Sequence, residues 1–151
     1  MSALKQRLQD DLTVAMKARD ELRTATLRMA LSALTNEEVA GKQQRELSDA
    51  EVEGVLRREV KKRAEAAEAF ASGGRAESAE RERAESDVLS AYLPANLSDD
   101  ELTALVDAAV AETGATAPNQ MGQVMKVLTP RVAGRADGAK VAAAVRARLA
   151  G

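Results

Sequence analysis

The stretch Tyr92-Leu93-Pro94-Ala95-Asn96-Leu97-Ser98-Asp99 divides this chain into two runs of helix-forming sequence. Pro94 has no amide proton and disfavours helical backbone at Leu93, so a helix running through the eighties stops here. Ser98, followed by Asp99, Asp100 and Glu101, supplies a capping box and an acidic first turn, which start a new helix. The stretch therefore reads as a hinge between two helical domains, residues 1–93 and 94–151. Leu93 and Leu97 are apolar and are expected to pin it rather than leave it loose.

Ala, Glu, Arg and Leu dominate on both sides, and β-branched runs are scarce, which points to an all-α fold. Phe70 and Tyr92 are the only aromatic residues among 151, so aliphatic side chains must build the core. Cysteine and histidine are absent. That removes disulfides, thiolate nucleophiles, the usual zinc ligand sets and the usual neutral-pH general base. No cofactor, metal site or catalytic residue is assigned. The N-terminus opens into a charged amphipathic pattern, and no stretch of about 18 apolar residues is present for a membrane span. The expectation is a cytoplasmic protein with no membrane association.

Leu4, Leu8, Leu12 and Met16 recur at intervals of four and predict one apolar stripe on a helix from about Ser2 to Arg19. Asp20 is placed to cap a second helix, with Arg23, Leu27, Ala30, Leu31 and Leu34 on one face. Its pattern decays through Glu37–Ala40, and Gly41 to Leu47 reads as a polar connection. Ser48-Asp49-Ala50-Glu51 is a capping box that launches a long helix to about Ser72, with Val52, Leu56, Val60, Ala67 and Phe70 in its buried stripe. Arg63 falls inside that stripe and must either snorkel out or meet an acid such as Glu59. Arg63 with Glu59, like Arg28 on the second helix, reads as an ion-pair site that specifies packing. Gly73-Gly74 ends the long helix, and a fourth, from about Ala76 to Tyr92, returns antiparallel to it as a hairpin.

Beyond the hinge, Leu102, Leu105, Val106, Ala109 and Val110 define a fifth helix ending at Gly114. Thr116 or Asn119 starts a sixth, on which Met121, Val124, Met125 and Leu128 share a face and which Pro130 breaks or kinks near its end. Asp137 is placed to cap a seventh, with Val141, Val145 and Leu149 as its stripe. The predicted architecture is an N-terminal helical bundle with a long hairpin, followed by a small three-helix domain.

The formal net charge is −2. Residues 98–113 carry five acids and no base, while residues 124–151 carry six bases against Asp137 alone. Lys126, Arg131, Arg135, Lys140 and Arg146 are the candidates for phosphate contacts, which position a nucleic acid without reading its sequence. A solvated basic face and a plain Asp137 cap describe the same residues equally well. Arg57, Arg58, Lys61 and Lys62 form a second basic cluster, broadly opposite the apolar stripe of the third helix, suited at most to assist. Base stacking is not expected of the tail, which has no aromatic residue.

Leu27-Arg28-Met29, Arg58-Glu59-Val60-Lys61-Lys62-Arg63, Gly74-Arg75, Tyr92-Leu93-Pro94, Met121-Gly122-Gln123-Val124-Met125 and Gly134-Arg135-Ala136-Asp137-Gly138 together resemble the GatB/YqeY family, specifically its small stand-alone YqeY-like proteins. The resemblance implies a tail similar to the C-terminal domain of the GatB subunit of the tRNA-dependent amidotransferase, where the helical tail contacts the tRNA body and a separate cradle domain carries the catalysis. This chain has no counterpart of that cradle. The resemblance also implies a carbon–nitrogen ligase label with glutamine as amido donor. That reaction needs a nucleophile to release ammonia, and no cysteine or evident serine–lysine arrangement supplies one here.

The leading expectation is a non-enzymatic accessory protein that binds tRNA or another structured RNA through the basic tail. One alternative is a protein-interaction module docking on an amidotransferase, a synthetase or another translation component. The other is carbon–nitrogen ligase activity, which would need a partner.

Overall fold

The computed structural model describes every residue, Met1–Gly151, and contains seven α-helices with no strand. They are α1 (Ala3–Lys17), α2 (Glu21–Val39), α3 (Asp49–Ser72), α4 (Ala76–Ser90), α5 (Asp99–Thr113), α6 (Met121–Val132) and α7 (Gly138–Ala150). A short 3₁₀ turn, Pro118–Gln120, precedes α6. The chain divides into two compact units, Met1–Leu93 and Pro94–Gly151. No helix is long and apolar enough to cross a membrane.

In the first unit α1, α2, α3 and α4 close on Leu8, Leu27, Leu34, Val52, Leu56 and Leu89, all fully buried. The α1 stripe differs from its sequence reading at one end: Met16 is 48% exposed, and Ala15 takes the buried place. Steps of four residues advance about 40° each on a helix, so Met16 lies about 120° round from Leu4. Ala15, seven residues after Leu8, returns almost to the same face. On α3, Val60 and Phe70 are half-buried, and Val55 joins Val52 and Leu56 in the core.

The connection before α3 is less polar than its composition suggests. Leu47 is only 4% exposed and packs in the same cluster as Val52. It precedes the Ser48 cap, and Val52 is the fourth helical residue, the arrangement of a hydrophobic staple. Leu97, Ser98 and Leu102 repeat the device at the start of α5. Both predicted capping boxes are present: the Ser48 and Ser98 hydroxyls accept from the Glu51 and Glu101 amides, and each glutamate accepts in return. Glu38, in the region where the apolar pattern fades, is buried and takes both its bonds from Lys5 Nζ, at 2.8 and 3.0 Å.

Two helices of the first unit end in the same six-residue closure. After α3, Gly74 adopts φ +76°, its amide donates to Ala71, and the Arg75 amide donates to Phe70 at 2.8 Å. The Arg75 guanidinium then lies 5.2 Å from the Phe70 ring centroid. After α1, Arg19 occupies the left-handed position with φ +56°, its amide donates to Met16, and the Asp20 amide donates to Ala15. Glycine is the usual residue there.

Arg63 is 12% exposed and meets three carboxylates: Glu59 at 3.4 Å, Glu85 at 3.5 Å and Glu82 at 4.0 Å. Its Nη2 also donates to Met29 Sδ at 3.3 Å. Arg81 joins the cluster by donating to Glu85 at 2.9 Å and, through both terminal nitrogens, to Glu21 at 2.7 and 2.9 Å. The cluster ties α2, α3 and α4 together, so Arg63 meets its acids rather than snorkelling. Glu59 is one of three partners, and Glu82 and Glu85 come from the returning arm of the hairpin.

At the end of α4 the Tyr92 hydroxyl donates to Asp11, and Arg7 stacks 4.6 Å from the ring centroid. Burial, then the bond to Asp11, pushes the phenol pKa up to about 12. Leu93 packs against the core of the first unit and Leu97 against that of the second.

In the second unit α5, α6 and α7 enclose Val106, Ala109, Val124, Leu128, Val141 and Val145. Neither Thr116 nor Asn119 caps α6, which starts after Gln120 with no side-chain cap. Gln120 Oε1 instead closes the 3₁₀ turn before it, accepting from the amides of Thr116 and Ala117 at 2.7 and 3.0 Å. Pro130 does not stop the helix, which runs on to Val132 and closes through Ala133 at φ +51°. So near the end, the proline removes only the bond to the Lys126 carbonyl. Asp137 caps α7, accepting from the Ala139 amide at 3.2 Å.

Replacing Arg63 with alanine leaves buried carboxylates facing one another, and a loss of about 3 kcal/mol is expected in urea unfolding. Tyr92 gives a pH signature of opposite origin. Its phenol is protonated in both states below pH 10, whereas between about pH 10 and 12 only the folded state holds the proton. Stability should therefore fall across that window by up to about 3 kcal/mol more than in Tyr92→Phe.

Candidate nucleic-acid interface

The tail holds six acids and six bases, segregated along the sequence. Packing α5 against α6 and α7 brings the two sets together. Asp99 meets Lys140 at 2.6 Å, Asp107 meets Arg148 at 2.9 Å, and Glu112 meets Arg131 at 2.5 Å. The Lys140 ammonium holds the Asp99 carboxyl below its ordinary pKa through a hydrogen bond and its charge.

Arg135 is half-buried and makes no ion pair. Its Nε donates to the Ala95 carbonyl at 2.8 Å, and its own carbonyl accepts from the Leu97 amide at 2.8 Å. It therefore stitches the turn before α7 to the segment entering α5. The Glu101 carboxyl is held below its ordinary pKa chiefly by bonds from Ser98, with Arg135 adding its field.

Of the five candidate bases, Lys126 and Arg146 alone are both exposed and free of a protein partner. Lys126 lies on the side of α6 away from Val124 and Leu128. Arg131 and Lys140 are exposed but paired. The secondary cluster divides in the same way. Arg57 is half-buried against Glu53 at 3.2 Å, Arg58 reaches Glu37 at 3.4 Å, and Lys61 and Lys62 stand free.

Another group of unpaired bases lies at the corner between α1 and α2. Lys17, Arg19, Arg23 and Arg28 take part in no ion pair. Arg28, read from sequence as part of an ion-pair site, is instead exposed, because the carboxylates it might have met are held by Arg63 and Arg81. The signal was present as four bases within residues 17–28, interrupted only by Asp20 and Glu21. Its force depends on how those two acids are used, which the sequence does not display.

The chain is all-helical and divides into two compact units, each closed on its own aliphatic core. The YqeY-like protein family matches residues 5–149, nearly the whole length, and the chain belongs to it. No curated protein matches the chain.

Exposed ion pairs such as those of the tail contribute little, about 1 kcal/mol or less each. A double-mutant cycle on Asp107 and Arg148, read by chemical denaturation, should give a coupling energy below about 1 kcal/mol that shrinks further in high salt.

Proposed function

We propose that this protein is a non-enzymatic accessory factor that associates with tRNA or another structured RNA through contacts to phosphates. The observation that carries the reading is the state of the tail bases. Lys126 and Arg146 are exposed and unpaired, and Arg131, Lys140 and Arg148 sit in exposed pairs weak enough to exchange a carboxylate for a phosphate. The similarity of the tail to the C-terminal domain of GatB, whose helices contact tRNA, supports the same reading. With no aromatic residue beyond Tyr92, the tail is suited to backbone positioning rather than base recognition. Its six acids offset its six bases, so the affinity would come from local geometry rather than net charge.

Docking on a protein of the translation or amidotransferase machinery is the second reading, and the exposed Val14, Met16 and Val39 favour it. Amide-nitrogen transfer would require a nucleophile from a partner, since the chain has no cysteine.

Titration of fluorescent tRNA with the full chain tests the first reading. The affinity should fall linearly in log salt, and Lys126→Gln with Arg146→Gln should reduce the slope by about two. Affinity in low salt no greater than that of an acidic control protein would dismiss it. A partner captured equally well from nuclease-treated extract would favour the docking reading.

A further inference from the structure

We infer that the corner between α1 and α2 is a binding site for phosphate groups, held by the guanidinium groups of Arg19 and Arg28. An open cleft of about 370 Å³ lies there, lined by Met16, Arg19, Asp20, Glu21, Thr24 and Arg28. At roughly 30 Å³ per water, the space amounts to about a dozen waters, ample for a small polyanion.

Three observations favour an oxyanion in the cleft. Of the two acids in its wall, Glu21 is neutralised by Arg81, and Asp20 keeps its charge while capping α2. Asp20 accepts from the Arg23 amide at 3.1 Å, and Glu21 gives both oxygens to Arg81. Arg19 and Arg28 form no ion pair, and Lys17 and Arg23 on the same two helices are also unpaired. The Thr24 hydroxyl makes no hydrogen bond within the chain, unlike those of Thr13, Thr26 and Thr35, which return to the helix backbone. It is free to donate to an oxyanion. Guanidinium groups suit this chemistry because two parallel N–H donors match two phosphate oxygens.

The turn after α1 presents one of these side chains. The closures after α1 and α3 share one hydrogen-bond pattern, but the left-handed position holds Gly74 in one and Arg19 in the other. Arginine is the costlier residue there, and its side chain lines the cleft.

The phosphate could belong to a small free compound or to a nucleic-acid backbone, and two probes separate the sources. The ¹⁵N-labelled full chain is titrated with pyrophosphate and, separately, with a short RNA duplex, at matched ionic strength. Saturable shifts at Arg19, Thr24 and Arg28 are expected with at least one probe. Pyrophosphate alone identifies a small phosphate compound, and the duplex, with or without pyrophosphate, identifies a backbone. Arg19→Gln with Arg28→Gln should weaken the response by about tenfold or more. Arg19→Gly should weaken it too while raising the melting temperature, a combination that a merely tolerated arginine would not give. No saturable shift with either probe, or equal shifts in the double variant, would overturn the assignment. The proposed tail interface is tested separately, because Lys126→Gln with Arg146→Gln should leave the pyrophosphate response unchanged.

Discussion

A guanidinium surrounded by carboxylates holds the long hairpin of the first unit to its second helix. Arg63 reaches Glu59 on its own helix and Glu82 and Glu85 on α4, and Arg81 links Glu85 onward to Glu21 on α2. The surrounding core is entirely aliphatic except for Tyr92, and aliphatic contacts are non-directional. The charged cluster adds direction. It is satisfied only when three helices stand at one register, so it specifies the packing more than it stabilises it. Arg63 Nε and Glu82 Oε2 are nonetheless buried without a hydrogen bond, so the register is held at some cost in desolvation.

The same commitment of charges determines which surfaces remain open to a partner. Carboxylates outnumber bases in the first unit, yet Lys17, Arg19, Arg23 and Arg28 at the α1–α2 corner pair with none of them, and Glu21 there is held by Arg81. In the tail the opposite occurs. A sequence with its acids in one helix and its bases in the next two is arranged for mutual pairing once the helices pack, and three of the six bases find acids on α5. Charge segregation along a chain thus predicts complementary helix faces at least as well as it predicts an anion-binding surface.

Chain reversals show how local chemistry and function are separable. Ser48 and Ser98 start their helices with the same box and the same staple, and they need nothing from the rest of the protein. Gly74 ends α3 as glycine usually does, with Arg75 laid on Phe70 across the closure. Arg19 departs from that rule in an otherwise identical closure, as Ala133 does at the end of α6.

The all-α class, the seven helices and most of their caps were legible in the sequence, because helical periodicity and capping are local and involve residues three or four apart. Leu27, Leu34, Val52 and Leu56 could be assigned to the core for the same reason. The candidate site was only partly legible. Which bases are free depends on pairs such as Arg148 with Asp107, Arg131 with Glu112 and Arg81 with Glu21, whose members lie 41, 19 and 60 residues apart. Leu47 in the core, Met16 out of it, Arg135 turned to a backbone carbonyl and Arg28 left without a partner were likewise decided by helix packing. By itself the sequence determined most helix starts and ends, those of α6 excepted. Only the tertiary structure decided which charges are neutralised, because electrostatic pairing depends on distance in space, and the chain's order does not specify that distance.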